Sequence, residues 1–167
     1  MKNSISLIGM AGAGKSSIAK ELKKVLDFEI IDSDLLIEQQ QKKSLQSILD
    51  DYGYIKLREI EERILLKVNF NKIILSTGGS AVYSQRAMEY LMQNSMVLFL
   101  DVPFHIIAER VDDFSGRGFA KLPSQTIYEA FQERESLYKN YSHHVIDNSS
   151  DIEACMSKIF ELLKINY

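Results

Sequence analysis

Short apolar runs at 5–8, 28–31, 72–76, 96–100 and 145–147 alternate along the chain with longer stretches whose apolar positions return every three or four residues. The first kind of pattern predicts strands and the second predicts helices. The predicted helices cover 15–26, 34–41, 44–51, 54–68, 85–93, 104–111, 124–138 and 150–165. Regular alternation of this sort marks an α/β domain. Because the strand runs are continuously apolar, the sheet is expected to be mostly parallel, with its strands buried on both faces under helices. Ser124 and Ser150 stand where N-caps belong, and Pro103 precedes a helix where a missing N–H costs little. The expected core stripe is Ile55, Ile60, Ile64, Leu65 and Val68 in the helix at 54–68, and Ile152, Cys155, Met156, Ile159, Phe160 and Leu163 in the last helix.

Length and charge narrow the picture. The chain has 167 residues, 46% of them hydrophobic and 26% charged, with a formal net charge of −3. A chain of this size buries roughly 70% of its unfolded surface, so 1–167 reads as one domain. Without a basic patch or a run of like charges, it is expected to bind neither nucleic acid nor a membrane, and a small molecule is the expected partner. Cys155 is the only cysteine, which leaves no internal disulfide and suits a reducing compartment. No apolar run reaches 18 residues and the amino end lacks a secretory leader, so the expected location is cytoplasmic. His105, His143 and His144 have no metal-ligand spacing and are expected at surface or edge positions.

The strongest chemical signal is Gly9-Met10-Ala11-Gly12-Ala13-Gly14-Lys15-Ser16, which satisfies GxxxxGK(S/T) between a predicted strand and a predicted helix. Glycines there let consecutive N–H groups point into one concavity, and the helix N-terminus adds positive potential. Lys15 can reach the β and γ phosphates of a nucleotide, and Ser16 offers its hydroxyl to Mg²⁺. A GTPase would also need an Asn-Lys-x-Asp guanine reader. Asn71-Lys72-Ile73-Ile74 lacks the carboxylate, and Asp50-Asp51-Tyr52-Gly53 fits DxxG by letters alone.

A phosphoryl-transfer enzyme works largely by positioning and electrostatics, so it needs carboxylates and cations around an acceptor pocket. Asp32-Ser33-Asp34 follows the second predicted strand, at the carboxyl edge where open α/β sheets bind ligands. Strand alternation would point Asp32 and Asp34 the same way, one toward a magnesium water and the other toward an acceptor hydroxyl. The plainer alternative is a turn with Asp34 as helix N-cap. Arg58 with Glu61, and Arg134 with Glu135, read on spacing alone as ordinary helix-surface pairs. Gly78 and Gly79, in Thr77-Gly78-Gly79-Ser80, allow close backbone approach after the third strand. The aperiodic stretch at 112–121 holds Gly116-Arg117-Gly118 and predicts a mobile loop.

In order and spacing these motifs resemble the shikimate kinases over nearly the whole chain. The likeness is carried by the P-loop from Gly9 to Ser16, Asp32 and Asp34, Arg58 and Glu61, Gly78 and Gly79, Arg117, and Arg134 with Leu137 and Tyr138. It implies a P-loop NTPase-type three-layer sandwich, nucleoside monophosphate kinase-like, with a five-stranded parallel sheet, acceptor helices at about 34–62 and a lid at about 112–122. It implies ATP-dependent phosphorylation of the 3-hydroxyl of shikimate by a monomer, on the route to chorismate and the aromatic amino acids. On this resemblance Gly12, Ala13, Gly14, Lys15, Ser16 and Ser17 wrap the phosphates, Arg110 lies over adenine, and Ser16 and Asp32 hold Mg²⁺. Asp34 grips the acceptor hydroxyl, Arg58 and Arg134 pair with its carboxylate, Gly78 and Gly79 contact the substrate with the backbone of Gly79 pressed against the ring, and Arg117 swings in with the lid. Lys15, Asp34 and Arg117 would be catalytic.

Departures from the family pattern cluster on the acceptor side. Ser80 stands where a third glycine is usual, and Gly118-Phe119 replaces the proline and leucine after the lid arginine, which predicts a looser loop with an aromatic tip. Gly53-Tyr54 and Leu57-Arg58 replace Gly-Glu and Phe-Arg. Two other readings therefore stand beside the first: a related kinase for another small hydroxy acid, and a nucleotide-binding module with a decayed acceptor site.

Overall fold

The computed structural model describes residues 3–111, 113–114 and 118–164. Five strands, β1 (Ile5–Ile8), β2 (Glu29–Asp32), β3 (Ile73–Ser76), β4 (Met96–Asp101) and β5 (His144–Asp147), form one parallel sheet in the order β2-β3-β1-β4-β5. Seven α-helices flank it among the described residues: α1 (Lys15–Val25), α2 (Ser33–Gln41), α3 (Leu45–Leu65), α4 (Gln85–Asn94), α5 (Phe104–Arg110), α6 (Ile127–Asn140) and α7 (Ile152–Leu163). A 3₁₀ turn, Ala81–Tyr83, links β3 to α4. With β1 in the centre, the strand order reverses around its carboxyl end, and that is where an open sheet leaves a crevice. The expected fold class is the one observed.

Burial on both faces holds only for the inner strands. β1 and β3 are buried throughout and β4 nearly so, whereas of the two edge strands β2 is mostly half-buried and β5 largely exposed. The main core joins the sheet to Ile18, Leu22, Met88, Leu91 and Ile159, with Cys155 packed as a small hydrophobe. A second cluster of Ile37, Ile48, Leu57, Ile60, Ile64 and Ala120 holds α2 and α3 together.

Several local expectations need correction. The helices expected at 44–51 and 54–68 are one helix, α3, kinked at Gly53, whose φ of 79° is left-handed. Ile55 does not join the core stripe and is 61% exposed. Five residues separate it from Ile60, about 140° away around a helix of 3.6 residues per turn. Thr126, with Glu129 completing a capping box, starts α6 in place of Ser124, and Asp151, accepting from Ala154 N–H, starts α7 in place of Ser150. Both true caps sit one or two residues further on, where the side-chain oxygen can reach the N3 amide. Pro103 is the N-cap of α5 as the pattern indicates. His143 lies on the exposed edge, its Nδ1 accepting from Val97 N–H at 3.0 Å. No helix among the described residues is long and apolar enough to cross a membrane.

Candidate active site

The first turn of α1 closes a backbone nest. Gly12 and Gly14 have φ of 82° and 89°, and Gly14 is the N-cap of α1 with no side chain to cap it, so the first amides of the helix stay free to donate. Lys15 is only 8% exposed and its Nζ donates to the carbonyls of Gly9 and Met10, both at 2.8 Å. Burial lowers its pKa to about 8, against the raising influence of Asp34 and Asp32. Such an ammonium gains from a polyanion that restores the environment favouring its charge.

Residues 11–17, Asp32, Asp34, Gly79 and Arg110 are brought around a single cavity of about 620 Å³, except Ala13, which is buried beneath its floor. Asp32 and Asp34 both face it, but not through strand alternation. The helix α2 begins at Ser33, so Asp32 is its N-cap, accepting from the amides of Asp34 and Leu35, and Asp34 sits in the first helical turn. Asp34 is therefore not the cap. The second carboxylate oxygen of Asp32 accepts from Ser16 Oγ at 3.4 Å. Asp34 is pushed up to about 6, first by burial and then by the neighbouring charge of Asp32.

A second, smaller pocket adjoins the first and shares Ala11, Asp34 and Gly79 with it. Its floor is acidic. Glu61 is 2% exposed, not a helix-surface residue, and burial followed by the charge of Asp34 raises its pKa to about 7. Ser80 Oγ donates to Glu61 Oε2 at 2.5 Å, while Glu61 Oε1 is buried without a hydrogen-bond partner. A side chain on Gly78 would strike both Glu61 Oε1 and Asp34 Oδ1. These two carboxyl oxygens thus flank one backbone position, and a hydroxyl or the carboxyl's own proton can satisfy the unpaired one.

The opposite wall is cationic. Arg134, 1% exposed, and Arg58, half-buried on α3, converge on one atom: their Nη2 groups donate to the carbonyl of Ala120 at 2.8 and 2.9 Å. Arg58 stands over the rings of Tyr83 and Tyr54, and Arg134 over that of Phe119. Neither arginine is a surface partner of its neighbouring glutamate. Gly118, expected in a looser loop, has φ of 62°, donates its N–H to Gln46 Oε1 at 2.9 Å, and packs so closely on Leu45 that a Cβ would lie 2.9 Å from its backbone carbon. Gly118 itself is docked there. Arg117, expected as the lid arginine, lies outside the described residues.

A shikimate kinase family model matches residues 11–164. The chain belongs to the shikimate kinase family. A shikimate kinase of Clostridium botulinum is 31% identical over 164 residues, 98% of either protein. Among solved structures, the shikimate kinase of Acinetobacter baumannii in complex with shikimate superposes with a TM-score of 0.85 at 24% identity, over 96% of this chain and 93% of that one. A deoxyadenosine kinase of M. mycoides with bound dCTP has a TM-score of 0.62 at 18% identity, over 96% of this chain and 98% of that one. Both share the fold, and the family assignment rests on the family model and the sequence relative.

Some residues of the site had no role in it assigned from the sequence of this family member. Ser33, fully buried, accepts from Gly78 N–H at 2.9 Å and so ties the end of β2 to the end of β3. Tyr138 donates to Gly79 carbonyl at 2.6 Å and stacks on Phe99 with centroids 5.0 Å apart, which fixes the glycine from below. Asn148, Ser150 and Ile152 line the large cavity, so Ile152 belongs to its wall and not to the core. Asn148 Nδ2 donates to Ala13 carbonyl at 2.8 Å, and Arg110 Nη2 donates to the carbonyl of Asn148 at 3.1 Å. A rule that looks for side-chain chemistry after a strand passes over an asparagine that acts on the backbone of a loop 135 residues away.

Proposed function

We propose that this shikimate kinase family member transfers the γ-phosphoryl group of ATP to the 3-hydroxyl of shikimate, giving shikimate 3-phosphate for the aromatic amino acid pathway. One observation carries the reading: Asp34 lies on the wall shared by the nest-lined cavity and the pocket that holds Arg134, so one carboxylate faces both reactants. The acid of the acceptor takes the place of the Ala120 carbonyl between Arg58 and Arg134, since a carboxylate offers two oxygens to two planar forks. Its hydroxyl is then within the reach of Asp34, which orients it in line and accepts its proton as the phosphoryl group leaves ADP. Lys15 and the amides of Gly12 and of 14–17 hold the phosphates, and Arg110, anchored on Asn148, covers the base.

Magnesium fits the rim of the nest. Ser16 Oγ and Asp32 Oδ2 are two hard oxygens 3.4 Å apart, and Mg²⁺ takes one or two such ligands while keeping several waters. When bound, it neutralises charge on the transferring phosphates.

The substrate assignment is tested by incubating the protein with MgATP and a panel including shikimate, homoserine and gluconate, and following ADP formation. Preference for shikimate is expected. Turnover with a different acid selects a related kinase, and nucleotide binding without acceptor-dependent turnover selects a decayed site.

The titrations give a second test. Asp34 must be ionised to accept a proton, so kcat/KM rises as pH passes about 6. Lys15 must stay charged, so in the free enzyme kcat/KM falls again above about 8. A profile flat from pH 5 to 9 would contradict both roles.

A further inference from the structure

Two guanidinium groups aimed at one oxygen repel each other, so the protein needs a device that keeps them in place before an acid arrives. Among the described residues neither Arg58 nor Arg134 forms an ion pair. Burial, and the charge of Arg134, both work against the Arg58 cation, and its Nε is buried with no hydrogen-bond partner. Besides the Ala120 carbonyl, the two share the ring of Tyr83. The guanidinium carbon of Arg58 stands 3.5 Å from the ring centroid and that of Arg134 stands 5.3 Å from it. Arg134 Nε also donates to the Tyr83 hydroxyl at 3.4 Å. Stacking on a π face stabilises a cation most where water is excluded, as it is around Arg134, 1% exposed.

The ring is itself fixed. Tyr83 closes the 3₁₀ turn that follows Gly78-Gly79-Ser80, and its N–H donates to Ser80 carbonyl at 3.0 Å. The loop that brings Gly79 to the cleft therefore also sets the direction of both forks.

We propose that Tyr83 is a positioning residue for acceptor recognition, holding Arg58 and Arg134 by its face and hydroxyl so that both donate to one carboxylate. It deepens the function proposed above and rests on the acid binding between these arginines. The residue makes the pocket selective for a carboxylate: a neutral acceptor leaves two guanidiniums unpaired around the ring.

Steady-state kinetics on Tyr83→Leu, Tyr83→Phe and Arg58→Ala, with MgATP and the acid selected by the panel, shikimate on the present reading, test this role. Tyr83→Leu is expected to raise KM for the acid about tenfold, with KM for ATP and kcat within about twofold of the parent. Tyr83→Phe keeps the face and should stay within about threefold in acid KM. An acid KM unmoved in Tyr83→Leu but raised in Arg58→Ala overturns the role of Tyr83 and leaves the acid site standing. An acid KM unmoved in both overturns the acid site, and the role of Tyr83 with it. Tyr83→Phe as impaired as Tyr83→Leu, or ATP KM rising alongside, marks a packing role and also overturns the proposal. Should Tyr83→Leu fail to fold by circular dichroism, Tyr83→Met, which fills the space without a ring, is judged by the same thresholds.

Discussion

Asp34→Asn is expected to lower kcat by about 10²- to 10⁴-fold, the usual contribution of a positioned proton acceptor. The substitution keeps the shape of the side chain and its place in the first turn of α2, so binding of ATP should change little. It removes the one group that can take the hydroxyl proton on the wall common to both pockets. Burial and the Asp32 charge hold this carboxyl near 6, higher than an ordinary aspartate and so a better base, yet still ionised at neutral pH. Steady-state kinetics with isothermal titration of ATP check the result. The acidic limb of the pH profile should vanish in the variant, and a kcat within threefold of the parent would remove Asp34 from the chemistry.

Lys15→Met is expected to cost about 10²- to 10³-fold in kcat and to weaken nucleotide binding, because a preorganised cation facing developing charge is lost. Methionine keeps the apolar stem of a side chain that is 8% exposed, so the fold should survive. The lysine donates to the carbonyls of Gly9 and Met10, and without it those oxygens lose their side-chain donor. Single-turnover phosphoryl transfer separates the two effects: loss of rate at saturating ATP reports on the transferring group, and a raised Kd reports on the cradle.

The sheet was legible because its three inner strands are continuous apolar runs, and the P-loop because its spacing is set by backbone curvature. Cap positions slipped by one or two residues, since Ser124 and Thr126 are chemically alike and only the turn geometry chooses between them. Ile55 was misplaced because a spacing of five residues from Ile60 was read as one stripe, although it turns the side chain about 140° away. Arg58 and Arg134 could be paired only through family resemblance: they are 76 residues apart, and spacing alone made each a surface partner of its neighbour. Tyr83 was invisible for a related reason. An aromatic five residues after a glycine looks like core, and its two cations come from different helices.

The hydrogen bond from Asn148 to Ala13 has a consequence for how the protein comes into being. The nucleotide cavity is lined at one side by the first loop and at the other by the turn after the last strand. During synthesis, the glycines that greet the phosphates must wait for Asn148, 135 residues after Ala13, before their far wall exists. Contacts of such sequence separation form late and slow the approach to the native state. ATP binds only what is already assembled, and by mass action it would then favour the completed molecule over partly folded chains.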